Sequence, residues 1–479
     1  MLDNINKWAD ADPKKSAIIY HDIPVSYAEF RGLIFGAVHK FRGSGFRAGS
    51  VVAISIQNIL AGWIAVLALR SLGFDTVVVP SADAIDGLNA RKLAGIVILQ
   101  SETDPAGLSN LKRFGAPIVP INDGLQGSDV APRIDRPAGG HILFTSGTTG
   151  VYKKLFFDAE KIDRVAQKRL AENQFSPDSV VHNLNFPLWT GAGFKTPLAA
   201  WTAGACIILD QRPNCLLNLF QHPITDATLI PAMAKTLLKL LDGRPPSPGS
   251  FALYTSAGAF SLDLAESVRT HITPNINLTY SATECGNMFL TPYTCTEDLI
   301  WQIPVDTRHI RIVSEDEGRD CAVGEEGQFA IELTDRDCIE YLDDPAATLK
   351  SFRDGYFYPG DRAVRREDGR IRVLGRTEDV INLRGYKIAA SPLELQIQRA
   401  LKVGTVCLFT GLSAETRDQL VVVIEAANQP SAADEALIRK IVDWQDDLRV
   451  IVLPEFPRTA TAMQKLDRIT LRKIAFAPA

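Results

Sequence analysis

From about residue 50 to residue 285 the chain alternates short apolar runs with helix-length amphipathic segments. The runs at 51–56, 76–79, 96–99, 141–144, 206–209, 228–230, 252–254 and 277–279 predict strands. The segments at 58–72, 159–172 and 262–271 predict helices between them. A strand that returns through a helix comes back parallel, so this alternation predicts α/β architecture with parallel, helix-flanked sheets. Ligands of such sheets gather at the carboxyl ends of the strands.

At 479 residues the chain exceeds a single core, and its pattern changes twice. Short alternating strands at 309–313, 328–333 and 370–374 predict a small β subdomain. After Arg376 a small α+β unit begins, with strands at 406–409 and 420–425, a helix at 433–448 and a last helix from Leu466. The expected division is a large N-terminal domain over 1–376 and a small C-terminal domain over 377–479.

Composition narrows the function classes. A net charge of −5 without lysine/arginine runs gives no footprint for nucleic acid or an anionic membrane. The longest apolar run, 59–69, stops at Arg70, short of a membrane span. Seven scattered cysteines without CxxC pairs argue against a zinc site or disulfide framework. With no secretion signal at Met1 to Trp8, a cytoplasmic protein is expected.

One segment carries chemistry on its own. Thr145, Ser146, Gly147, Thr148, Thr149 and Gly150 follow the apolar run at 141–144, with Lys153 and Lys154 just beyond. Glycines let backbone N–H groups converge on an anion, hydroxyls add donors, and a lysine supplies a point charge. The lysine does not follow the second glycine directly, so this is not the GxxxxGK[ST] loop. Alone, the segment says phosphate and leaves the reaction open.

Four more segments are ambiguous singly. In Tyr280, Ser281, Ala282, Thr283 and Glu284, the glutamate could hold Mg²⁺ and the tyrosine could stack on a base. Equally, Ser281 or Thr283 could cap a helix with Glu284 in its first turn. Asp361 follows a Pro-Gly turn and could accept ribose hydroxyls, or simply end the turn. Arg376 opens a charged stretch with Glu378 and Asp379, which suits a hinge or a linker. Lys465 precedes the last helix on a polar loop, where a lysine is ordinarily solvated surface.

In order and spacing these five segments resemble the adenylate-forming enzymes: acyl-CoA synthetases, adenylation domains of peptide synthetases, and luciferases. The resemblance covers about residues 20 to 475. It implies ATP-dependent activation of a carboxylic acid as an acyl-adenylate, release of pyrophosphate, then transfer to a thiol. By that resemblance Thr145 to Gly150 and Lys153 hold the β- and γ-phosphates, Thr283 the α-phosphate and Glu284 the Mg²⁺. Tyr280 lies on adenine, Asp361 and Arg376 on the ribose, and Lys465 bridges the carboxylate and α-phosphate. The small domain turns about Glu378–Asp379, bringing Arg384, Gly385 and Tyr386 to the thiol step.

Trp189, Thr190, Gly191, Phe194, Ala257 and Gly258 are the expected acyl pocket, apolar and suited to an acyl or aryl group. Amino-acid-activating relatives carry an aspartate near Gly191, so an α-amino acid is disfavoured. The sequence departs from the family in three places: Tyr152 stands where proline is usual, Thr190 where histidine is common, and Gln464 where glycine precedes the lysine. CoA is the expected thiol. The alternatives are a standalone ligase loading a carrier-protein phosphopantetheine and a non-catalytic nucleotide-binding relative. The resemblance is also compatible with a homodimer.

Overall fold

The computed structural model describes every residue except 1, 47–49, 87, 89–92, 123, 125, 147–151, 185, 242–248, 257, 259, 316–317, 377–379, 384–385, 413–417, 443–447, 460–465 and 477–479. Side chains are also outside the description at 146, 380, 382–383, 386–389, 392, 411–412 and 418. The chain forms two compact units. One comprises Met1–Ser256, Leu264–Met288 and Leu333–Phe352; the other comprises Ala257–Asp263, Phe289–Glu332 and Arg353–Ala479.

The first unit holds two sheets. In one, the strand order is Ile276–Ala282, Ala252–Thr255, Asp226–Leu229, Val180–His182, Cys206–Leu209, Ser16–Tyr20 and Ile23–Ser26. All of these pair in parallel except the last two, which form a hairpin. The other runs Ile118–Ile121, Leu93–Leu99, Val51–Ser55, Asp75–Val78, His141–Ser146 and Tyr152–Phe157. It too is parallel until its last pair.

The expected helix at 58–72 is Ile59–Ser71, and Asn58 caps it by accepting from the Ala61 N–H. A helix apolar all round must be buried all round, and this one is. The same is true of Gly191–Ala203, where glycine and Pro197 dilute the helical signal in sequence. That helix ends on Gly204 at φ +80°, with its Cα facing the Trp8 ring, where a Cβ would overlap the ring.

In the second unit, Tyr356–Phe357, Glu326–Glu332, Asp361–Arg365 and Ile371–Arg376 make an antiparallel sheet, with Ile310–Val313 also on Glu326–Glu332. The β subdomain expected there is present. Further along, Val406–Leu412, Asp418–Glu425 and Leu448–Leu453 form a three-stranded sheet. Val406, Leu408, Val422 and Ile424 face Ile397 and Ile438 of two helices, while Cys407, Phe409, Val421 and Val423 face Leu471 of the last. This period-two alternation packs helices on both faces.

One element differs from expectation. The predicted helix at 433–448 is the helix Ala432–Val442, and the strand Leu448–Leu453 follows beside Asp418–Glu425. Its run of Leu, Val and Ile suits a half-buried strand better than a continued helix. Among the described residues no helix is long and apolar enough to cross a membrane.

Candidate active site

The strand His141–Ser146 does not end before the glycine-rich segment; it includes Thr145 and Ser146 and returns antiparallel as Tyr152–Phe157. Gly147, Thr148, Thr149 and Gly150 lie outside the described residues. Thr145 is the register partner of Lys153, so hydroxyl and ammonium start from adjacent strands at the mouth of the turn. Successive strand residues point to opposite faces, which separates the two lysines. Lys154 pairs with Asp343 at 3.3 Å, whereas Lys153 sits over the Tyr341 ring, 4.5 Å from its centroid. Tyr152 packs its ring edge-on against Phe144, with centroids 5.7 Å apart, and burial raises its hydroxyl pKa.

Tyr280 belongs to the strand Ile276–Ala282, and the chain returns as the strand Gly286–Pro292. No helix begins at Ser281 or Thr283, so the capping alternative does not hold: Thr283 and Glu284 form a turn between strands. Gly286 supplies the φ of +78° on which that turn closes.

Glu284 is buried, and its carboxylate accepts a 2.7 Å hydrogen bond from the Tyr341 hydroxyl. Burial, and then the charge of Glu284 itself, holds the Tyr341 pKa far above its ordinary value, so the hydroxyl stays a donor. The Cys338 N–H donates to the Glu284 carbonyl at 3.1 Å. The carbonyl of Thr283 accepts from Lys195 Nζ at 2.7 Å. Burial lowers the pKa of Lys195 to about 8.

The expected acyl-pocket residues divide. Thr190 is the N-cap of Gly191–Ala203, accepting from the Gly193 N–H at 3.1 Å and donating to the Pro187 carbonyl at 2.7 Å. Gly191 lies against Thr283: a Cβ at 191 would stand 3.1 Å from Thr283 Oγ1. Trp189 is partly buried against the core around Phe144, and its carbonyl accepts from the Phe144 N–H at 2.9 Å. Phe194 is buried, its ring stacked between Trp63 at 5.4 Å and His141 at 4.0 Å, inside the core.

In the second unit Asp361 and Arg376 are register partners on neighbouring strands. Arg376 Nε lies 3.3 Å from the buried Asp361 carboxylate, and its Nη1 donates to the Pro359 carbonyl. Gly258 is exposed in a bend of this unit. Tyr386 lies on the strand Tyr386–Ala389. Ala257, Glu378, Asp379, Arg384, Gly385 and Lys465 lie outside the described residues.

Lys195 and Tyr341 escaped the sequence reading. Lys195 left a trace, as the one charge in an apolar segment; Tyr341 left none. Among the described residues no three His, Cys, Asp or Glu side chains cluster as a metal cage. A single buried carboxylate tethered by a neutral donor fits Mg²⁺, which keeps waters and phosphate oxygens as its other ligands.

The AMP-binding enzyme family matches residues 5–332. Among curated proteins, a 2-hydroxy-7-methoxy-5-methyl-1-naphthoate–CoA ligase of Streptomyces carzinostaticus is 24% identical, over 97% of this chain and 91% of that protein. A salicyl-AMP ligase of Mycobacterium tuberculosis is 29% identical over 56% of this chain and 48% of its own length. Among solved structures, an o-succinylbenzoate CoA synthetase of Bacillus subtilis superposes with a TM-score of 0.80 at 21% identity, covering 98% of this chain and 97% of its own. An amide bond synthetase of Marinactinospora thermotolerans superposes at 0.81 and 18% identity, covering 99% of each chain. Those two likenesses establish the fold, and the match over 5–332 spans more than half of the sequence: the chain belongs to the AMP-binding enzyme family.

Proposed function

We propose that this protein is an AMP-forming acid–thiol ligase acting on an acyl or aryl carboxylic acid, with CoA as the thiol. In the first half-reaction a carboxylate oxygen attacks the α-phosphorus of ATP, and the α–β bridging bond breaks as pyrophosphate leaves. In the second, the thiol sulfur attacks the acyl carbon, AMP leaves, and the thiol proton is lost to solvent. The first step joins two anions, so it needs positioning and charge neutralisation more than a protein nucleophile.

The observation that carries this reading is the Thr283–Glu284 turn, in which the Thr283 hydroxyl lies against Gly191 and the next residue is a buried carboxylate. Thr283 would bind the α-phosphate, and Thr145 with Lys153 the outgoing phosphates. Glu284 would hold Mg²⁺, which when bound neutralises phosphate charge. Tyr280 would face adenine, Asp361 with Arg376 the ribose hydroxyls, and Lys465 the reacting carboxylate. A division at residues 376 and 377, with a hinge at Glu378–Asp379, would let one small domain serve both steps in turn.

An aspartate at 191 would press on Thr283, and without one an α-ammonium would lack a counter-charge. Aryl acids are the favoured class, because the named substrates of the relatives include a naphthoate and salicylate. Pyrophosphate exchange across aryl, aliphatic and amino acids is the test. Exchange is expected with aryl or acyl acids and nearly lost in Lys465→Ala, with ATP binding retained. Exchange only with α-amino acids, or none with any acid, would overturn the reading. Thioester analysis with CoA against carrier proteins then decides the acceptor.

A further inference from the structure

The helix Gly191–Ala203 contains a single charged residue, Lys195, which is 5% exposed. Its Nζ donates to the Thr283 carbonyl at 2.7 Å and lies 4.4 Å from the centroid of the Phe157 ring. Among the described residues no carboxylate forms an ion pair with it. Asp337 Oδ2 accepts from the N–H and the hydroxyl of Thr334.

Burying an ammonium without a paired anion is unfavourable. Fold stability therefore does not account for this lysine. Its position does. Gly191 lies one helical turn before it, on the same face, and touches the Thr283 side chain. One turn of one helix thus holds Thr283 twice, at the side chain through Gly191 and at the carbonyl through Lys195.

We infer that Lys195 is a positioning residue for the adenylation step: by fixing the Thr283 carbonyl it aims the Thr283 hydroxyl and the Glu284 carboxylate. The inference rests on the acid-activating function proposed above. Lys195 acts through Thr283 and touches neither substrate, so its loss should appear in turnover more than in binding. A charge-assisted hydrogen bond of this kind corresponds to about 10- to 100-fold in rate.

The experiment compares Lys195→Met and Lys195→Gln with the wild type in pyrophosphate exchange, using the best acid of the panel, alongside thermal melts. Lys195→Met should lower kcat about 10- to 100-fold with the KM for ATP within about threefold and Tm unchanged or higher. Lys195→Gln keeps a neutral donor and should fall between the two. A kcat within threefold of wild type with a lowered Tm would make the lysine a structural tie only and overturn the inference. Should Lys195→Met fail to fold, Lys195→Gln decides alone. Reduced kcat at unchanged Tm supports the role, and parallel loss of kcat and Tm refutes it. A wild type silent with every acid would instead refute the acid-activating function, and this role with it.

Discussion

Glu284 and Asp361 are both buried carboxylates proposed to serve the same nucleotide, and their surroundings differ in kind. Glu284 is tethered by a neutral hydroxyl, Tyr341, so its charge is not matched by the group that orients it. Asp361 faces the guanidinium of Arg376 at 3.3 Å, so much of its charge is already answered. A neutral tether leaves an acid able to bind a cation; a charged tether leaves an acceptor suited to neutral hydroxyls. The contrast is what the two proposed roles require, Mg²⁺ at the first and ribose at the second, and it can be broken experimentally.

The largest effect is expected at Glu284. Glu284→Gln keeps an acceptor for Tyr341 and removes the charge, so pyrophosphate exchange should fall about 10²- to 10³-fold, and added Mg²⁺ should not restore it. Asp361→Asn removes a charge that Arg376 already matches. It should raise the KM for ATP about tenfold with little change in kcat, the signature of lost uniform binding. Equal losses of kcat in the two variants would end the distinction between them.

Tyr341→Phe tests the tether itself. A hydrogen bond from a neutral hydroxyl to a charged carboxylate is worth about 1.5–3 kcal/mol, or roughly 10- to 100-fold. The variant should need correspondingly more Mg²⁺ for half-maximal exchange and approach wild-type turnover at saturation. A loss of turnover that Mg²⁺ titration cannot recover would mean that Tyr341 does more than orient the carboxylate.

The elements of this contrast were unequally visible in the sequence. Asp361 and Glu284 stand out because each ends an apolar run or turn where side chains emerge, and Leu262–His271 begins and ends where periodicity puts it. Arg376, the partner of Asp361, stood out with it, but the groups that hold the Thr283–Glu284 turn were not legible. Tyr341 is 57 residues from Glu284, and Lys195 is 88 from Thr283, separations over which no local pattern carries information. The core packing of Phe194 was hidden for the complementary reason: an aromatic beside a pocket motif has the same composition whether it faces ligand or core. Thr190 likewise gives no hint in sequence that its hydroxyl is spent on capping a helix.

The smallest effect separates charge from shape on the ribose side. Arg376→Lys retains a cation near Asp361 but loses the planar fork that reaches the carboxylate and the Pro359 carbonyl together. The Arg376 side chain is 39% exposed, so water and salt already weaken this pair, unlike the buried contact at Glu284. The KM for ATP should therefore rise only about two- to fivefold, by the median worth of an exposed pair, and the difference should shrink as ionic strength is raised. If Arg376→Lys instead matches Glu284→Gln in lost turnover, the guanidinium acts in the chemical step, and the division between a metal-binding acid and a hydroxyl-binding acid no longer stands.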